Sequence, residues 1–174
     1  MIVILDYGVG NLTSLSNCFK RLGYDCRVSS DSSDILSDQP LVLPGVGRFE
    51  TAVTALQNSG TLPALEARRQ AQRPILGICL GMQLFFESSE ESPGFKGLGW
   101  LKGTVKKLPD TLPLPHMGWN TIAYKAGGQS ALKNSLQSAV GGDMYFVHSY
   151  VADPVDGAVV LLETLYNEAF PALV

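Results

Sequence analysis

Pro74-Ile75-Leu76-Gly77-Ile78-Cys79-Leu80-Gly81-Met82-Gln83 is the stretch that decides how this chain folds. An apolar strand carried by Ile75, Leu76 and Ile78 runs into a cysteine with glycine two residues before it and two after, and Met82–Phe86 reads as a helix. A strand-to-helix turn this sharp leaves no room for side chains at the flanking positions and lifts its central residue above the end of a sheet. The pattern is that of a nucleophile elbow with sulfur in place of oxygen. A thiol there is expected to feel the helix N-terminus, which lowers its pKa and favours the thiolate. A lone cysteine is more often a buried, inert one; the glycine pair at this spacing favours the nucleophile.

Upstream of the elbow, strand and helix alternate. Ile2–Leu5 is a short continuous apolar run, as expected of a strand buried on both faces. After the turn Asp6-Tyr7-Gly8-Val9-Gly10-Asn11, Leu12, Leu15, Phe19 and Leu22 recur at helical spacing, with Asn11 as N-cap and Gly23 just past the end. Cys26–Val28 and Leu41–Leu43 read as strands, Ser29–Asp38 as a polar surface loop, and Phe49, Val53 and Leu56 as one helix face stopped by Gly60. Leu62–Gln72 reads as a further helix. The expected fold class is α/β: an open, mostly parallel, flavodoxin-like sheet with helices on both faces. Downstream, short β-like runs lie in Gly94–Val105, Met117–Lys125, Met144–Val147 and Ala158–Leu162, with a short helix over Ser130–Leu136. These predict antiparallel or mixed strands completing the sheet of a single domain over residues 1–174.

Composition narrows the function classes. With 174 residues, 45% hydrophobic and 17% charged, the chain can bury a core and is not a disordered one. A net charge of −3 gives no electrostatic reason to expect nucleic acid or an anionic membrane as partner. Cys18, Cys26 and Cys79 make an odd number without metal-ligand spacing, which fits free thiols in a reducing, cytoplasmic compartment; no metal and no cofactor are expected. Gly8-Val9-Gly10 lacks the third glycine of a dinucleotide fingerprint and reads as a tight turn.

Pro44-Gly45-Val46-Gly47 ends the third strand, and sites in open α/β sheets form beyond the carboxyl ends of strands. This turn and Cys79 should therefore share one edge. Its backbone N–H groups, with that of Leu80, can form an oxyanion hole, each donor worth roughly 3–4 kcal/mol to a tetrahedral intermediate.

Gly77-Ile78-Cys79-Leu80-Gly81-Met82-Gln83 resembles the nucleophile motif of the class I, triad-type glutamine amidotransferases. Within that family, Asp6–Asn11, Pro44–Phe49, Gly97-Leu98-Gly99, Pro115–Asn120 and Tyr145–Tyr150 are similar to the glutaminase subunits of imidazole glycerol phosphate synthase. The resemblance implies that Cys79 attacks the amide of glutamine, and that Gly45, Val46, Gly47 and Leu80 hold the oxyanion. It implies that Gln83 helps position the substrate and that backbone around Ser149 and Tyr150 contacts glutamine. It also implies that ammonia passes to a (β/α)₈-barrel cyclase partner in histidine biosynthesis, with Met117 and Trp119 in or near that interface.

The family completes its triad with a His and a Glu in a Gln-Phe-His-Pro-Glu segment, and the 174 residues contain none. His116 matches the interface loop and His148 a separate His-Ser-Tyr motif, so neither is expected to be the base. The fold is accordingly expected to be incomplete at its C-terminal part, with apolar surface and a sheet edge left open. Two other readings stay open: an inactive chain that only docks on the cyclase, and another amidotransferase with a cysteine elbow.

Overall fold

The computed structural model describes residues 1–125 and 133–174, which form two compact units. The first unit is Met1–Phe85 with Gly94–Leu98, and the second is Phe86–Pro93 with Gly99–Val174.

In the first unit the elements run β1 (Ile2–Leu5), α1 (Leu12–Arg21), β2 (Cys26–Ser29), α2 (Ser32–Ile35), β3 (Leu41–Leu43), α3 (Phe49–Asn58), α4 (Leu62–Gln70), β4 (Ile75–Gly77) and α5 (Leu80–Gln83). The four strands make one parallel sheet in the order β2-β1-β3-β4. Right-handed crossovers in that order place α1 on one face and α2, α3 and α4 on the other, the doubly wound, flavodoxin-like arrangement. Val3, Ile4, Leu5, Leu41 and Leu43 are buried in the sheet, and Phe49, Leu56 and Leu65 are buried from the helices. Asn11 caps α1 as expected, its side-chain oxygen accepting from the Ser14 N–H at 3.2 Å. Unlike α3, α1 buries none of its side chains. Among the described strands β4 pairs only with β3, so it is an edge, and Leu76 on it is exposed.

Two expectations are corrected here. Ser29–Asp38 is not wholly loop, because it holds α2, anchored by the fully buried Ile35. The elbow helix ends at Gln83 rather than Phe86. The Leu84 carbonyl accepts from the Leu98 N–H at 2.7 Å, so a lateral partner replaces the next helical turn.

In the second unit the elements are β5 (Ser88–Ser89), β6 (Gly103–Lys107), β7 (His116–Thr121), β8 (Ala123–Tyr124), α6 (Lys133–Leu136), β9 (Asp143–His148), β10 (Tyr150–Pro154), a 3₁₀ turn at Gly157–Val159, β11 (Leu162–Tyr166) and β12 (Glu168–Leu173). The strands form separate small sheets, β10-β6-β5, β12-β11-β8 and the antiparallel pair β7-β9. They do not complete the parallel sheet, contrary to the sequence expectation. Ala158–Leu162 is also corrected: it enters through the 3₁₀ turn, and the strand begins at Leu162. Of the helix expected over Ser130–Leu136, Lys133–Leu136 is present, and Ser130–Leu132 lie outside the described residues. No described helix is long and apolar enough to cross a membrane.

Candidate active site

Cys79 sits where β4 turns into α5, at φ 55° and ψ −117°. An L-residue pays about 1–3 kcal/mol to hold such a backbone, and strain of this kind concentrates at functional positions. The turn closes because its glycines are bare. A Cβ on Gly77 would come within 2.7 Å of the Met82 backbone, and one on Gly81 would overlap the Leu43 carbonyl of the neighbouring strand. The glycine spacing read from the sequence therefore has a steric cause on both sides of the cysteine.

The turn after β3 lies beside the elbow. β3 and β4 pair in parallel with Leu43 opposite Gly77, and the Ile78 N–H donates to the Leu43 carbonyl at 3.0 Å. A Cβ on Gly45 would meet the Gly81 nitrogen at 2.6 Å, so the two backbones are in direct contact. Val46 is half exposed, and Gly47 takes φ 88°. Gln83 is the last residue of α5 and half-buried. An open cavity of about 310 Å³ runs past this edge, with Asn11, Leu15 and Cys18 on one side and Gly45, Val46 and Cys79 on the other. The structure thus brings Gly45, Val46 and Cys79 to one cavity and packs Gly45 against Leu80; Gly47 follows in the same turn, and Gln83 closes α5.

The thiol's acidity differs from the expectation. Burial of its surroundings pushes the Cys79 thiol up, and a hydrogen bond from the Leu80 backbone pulls it part of the way back. Burial is the larger of the two influences, so the balance is upward.

Ser149 and Tyr150 lie in the second unit, between β9 and β10. The Ser149 carbonyl accepts from the Leu108 N–H at 2.9 Å. Beside them the two histidines form a pair: His116 Nδ1 and His148 Nε2 are 3.1 Å apart, and His148 Nδ1 lies 3.2 Å from the Tyr150 carbonyl. Donation from His148 Nδ1 to that carbonyl leaves Nε2 as acceptor for a proton on His116 Nδ1. The rings of Phe146, Tyr166 and Phe170 surround the pair.

Burial, then the neighbouring His116, lowers the His148 pKa from 6.5 to about 4, and burial lowers that of His116 as well. The unfolded chain therefore takes up these protons more readily than the folded one. Stability is full above about pH 6.5 and falls as the pH drops toward 4. Partial solvent access to the ring limits the His148 share to about 1–2 kcal/mol. Urea unfolding at pH 7 and pH 4.5 should show this loss, and His148→Gln should remove that share of it.

On the opposite face of β7-β9, Met117 pairs with Val147 and Trp119 with Tyr145. All four are exposed, at 61%, 56%, 69% and 53% respectively. The Trp119 and Tyr145 rings meet edge to face at 5.6 Å. Sequence reasoning found Met117 and Trp119 but missed Tyr145 and Val147 as members of the same ladder. Alternation along Met144–His148 was the available signal, and only the β7-β9 register shows which phase faces outward.

The model of the family "Glutamine amidotransferase class-I" matches residues 3–174, and the chain belongs to that family. A solved glutamine amidotransferase shares the fold, with a TM-score of 0.70 at 15% identity over 100% of this chain and 90% of its own. Curated relatives are more specific. The chain is 42% identical over 173 residues to the imidazole glycerol phosphate synthase subunit HisH of Methanopyrus kandleri, covering 99% of this chain and 82% of the relative. It is 44% identical to the subunit of the same name from Carboxydothermus hydrogenoformans, covering 100% of this chain and 85% of the relative.

Proposed function

We propose that this chain is the glutaminase subunit of an imidazole glycerol phosphate synthase, hydrolysing glutamine to glutamate and ammonia for a (β/α)₈-barrel cyclase in histidine biosynthesis. The observation that carries the chemistry is the strained backbone of Cys79 at the end of β4, on an elbow whose Leu80 and Gly81 backbone packs against Gly45 of the turn after β3. The thiolate attacks the side-chain carbonyl of glutamine, and the N–H groups around Val46–Gly47 and Leu80 bind the oxygen as it becomes negative. Collapse of that intermediate breaks the C–N bond, and the nitrogen leaves as ammonia with the proton that the Cys79 thiol gave up on becoming a thiolate. Water then cleaves the glutamyl thioester to glutamate and returns the thiol. Gln83, at the end of α5, helps position the substrate. The paired histidines are committed to each other and to the Tyr150 carbonyl, which argues against either as the proton carrier.

The ladder of Met117, Trp119, Tyr145 and Val147 is the surface offered to the cyclase. Exposed aromatic and Met side chains in one contiguous patch are the composition of an interface centre. Trp119→Ala should weaken binding to the cyclase subunit by about 30-fold or more, read by titration calorimetry. An unchanged dissociation constant would move the interface elsewhere.

A glutamine-mimicking chloroketone tests the site. It should label Cys79 well ahead of Cys18 and Cys26 and abolish glutamate release by the chain mixed with its cyclase. Cys18 is also exposed, so exposure alone cannot produce that selectivity. Equal labelling of the three thiols would remove Cys79 from the mechanism. Tight cyclase binding without any glutamine turnover would favour a docking role instead.

A further inference from the structure

Tyr7 follows β1 and is 4% exposed. Its hydroxyl donates to the carbonyl of Pro44 at 2.8 Å, across 37 residues of sequence. Burial pushes the phenol's pKa up, so the group stays a donor throughout the working pH range. Pro44 opens the turn whose next three residues carry the amides beside Cys79. The peptide group is planar, so the Pro44 carbonyl and the Gly45 N–H point in opposite directions along one rigid unit. Fixing the oxygen fixes where the N–H aims.

Tyr7 is a buried polar anchor at this end of the turn. Gly10 packs against the Pro44 ring so closely that a Cβ there would lie 3.2 Å from it. Gly45 rests on the Gly81 and Leu80 backbone. Beyond it support falls away: Val46 is half exposed, and a Cβ on Gly47 would meet nothing within 4 Å. The turn is therefore held at its start and open at its end.

We infer that Tyr7 is a positioning residue for the oxyanion-binding turn, acting through the Pro44 carbonyl to fix the Gly45 peptide and so aim the turn's amides at the oxygen of the carbonyl attacked by Cys79. The inference rests on the glutaminase reading of the site. It assigns a chemical task to a side chain that acts through a backbone carbonyl.

Two probes of Cys79 separate positioning from mere packing. Glutamate γ-semialdehyde adds the thiol across its carbonyl: a C–S bond forms, and the thiol proton ends on the new hemiacetal oxygen, which occupies the oxyanion position. Iodoacetamide alkylates the same sulfur by displacing iodide and builds no such oxygen. In Tyr7→Phe the full-length chain should bind the aldehyde about tenfold more weakly, while its iodoacetamide rate stays within about twofold of the parent. Unchanged aldehyde affinity, or equal losses with both probes, would overturn the inference and leave Tyr7 a packing residue. Failure of the parent chain to add the aldehyde at Cys79 would instead defeat the glutaminase reading itself. Should Tyr7→Phe fold poorly, Gly10→Ala, which presses on the Pro44 ring without touching the hydroxyl, supplies the comparison. Its aldehyde affinity should fall with the iodoacetamide rate preserved, and parallel loss of both would again count against an aimed turn.

Discussion

Cys79→Gly abolishes glutamine hydrolysis and leaves the protein more stable than Cys79→Ala. Removing the sulfur removes the covalent intermediate, and losses from deleting a catalytic nucleophile reach ~10⁴-fold or more. The stability contrast comes from the backbone. At φ 55° and ψ −117° an alanine Cβ is crowded, whereas glycine occupies the region freely. Glycine also loses more chain entropy on folding, about 0.5–1 kcal/mol relative to alanine. Relief of about 1–3 kcal/mol of strain outweighs it, so the glycine variant should exceed the alanine variant by about 1 kcal/mol in urea unfolding. Equal stability of the two would mean that the elbow stores no strain. The experiment joins the two properties of this residue, since the conformation that presents the thiol is the one that burdens the fold.

Arg68→Met should cost about 3–5 kcal/mol of stability without touching the chemistry directly. Arg68, on α4, is fully buried. Its guanidinium donates to the carbonyls of Ile35 at 2.7 Å, Ser37 at 2.9 Å, Gln39 at 2.6 Å and Pro74, the last from both Nε at 3.1 Å and Nη2 at 2.9 Å. Burial, the largest influence, lowers its pKa, and the neighbouring Arg73 adds to that. Five N–H donors shared over four carbonyls keep the cation satisfied. Methionine fills the space but leaves those oxygens without their donors. Arg68→Lys should recover little, because one ammonium cannot span that fork. Chemical denaturation reads the effect; a loss under 1 kcal/mol would show that water reaches the carbonyls instead.

The contrast between these two residues shows what a sequence discloses. The elbow is local: glycine, cysteine and glycine within five positions encode their own steric constraint, and the parallel order of β1 to β4 follows from strand-helix alternation. Asn11 was legible as a cap for the same reason. Arg68 sits in a helix with other charged residues and looks like a solvated side chain; three of its four partners, the carbonyls of Ile35, Ser37 and Gln39, lie about 30 residues away and are brought to it by the fold. Tyr7 reaches Pro44 across 37 residues, and no periodicity encodes that bond. The second unit was the least legible part. Its short strands pair antiparallel in separate small sheets, except for the parallel pair β5-β6, and pairing choice depends on non-local register. The four-residue α2 was missed because one buried side chain, Ile35, is its whole apolar signal. The upward push on the thiol was not legible because burial around Cys79 is set by the fold and not by its neighbours in sequence.

The exposed ladder on β7-β9 has a thermal consequence. On the docking proposed above, water around Met117, Trp119, Tyr145 and Val147 would be released, and the apolar burial would lower the heat capacity of the complex. An association driven in this way weakens on cooling. The assembled synthase should therefore be cold-labile, with subunits that stay together at ambient temperature coming apart on ice.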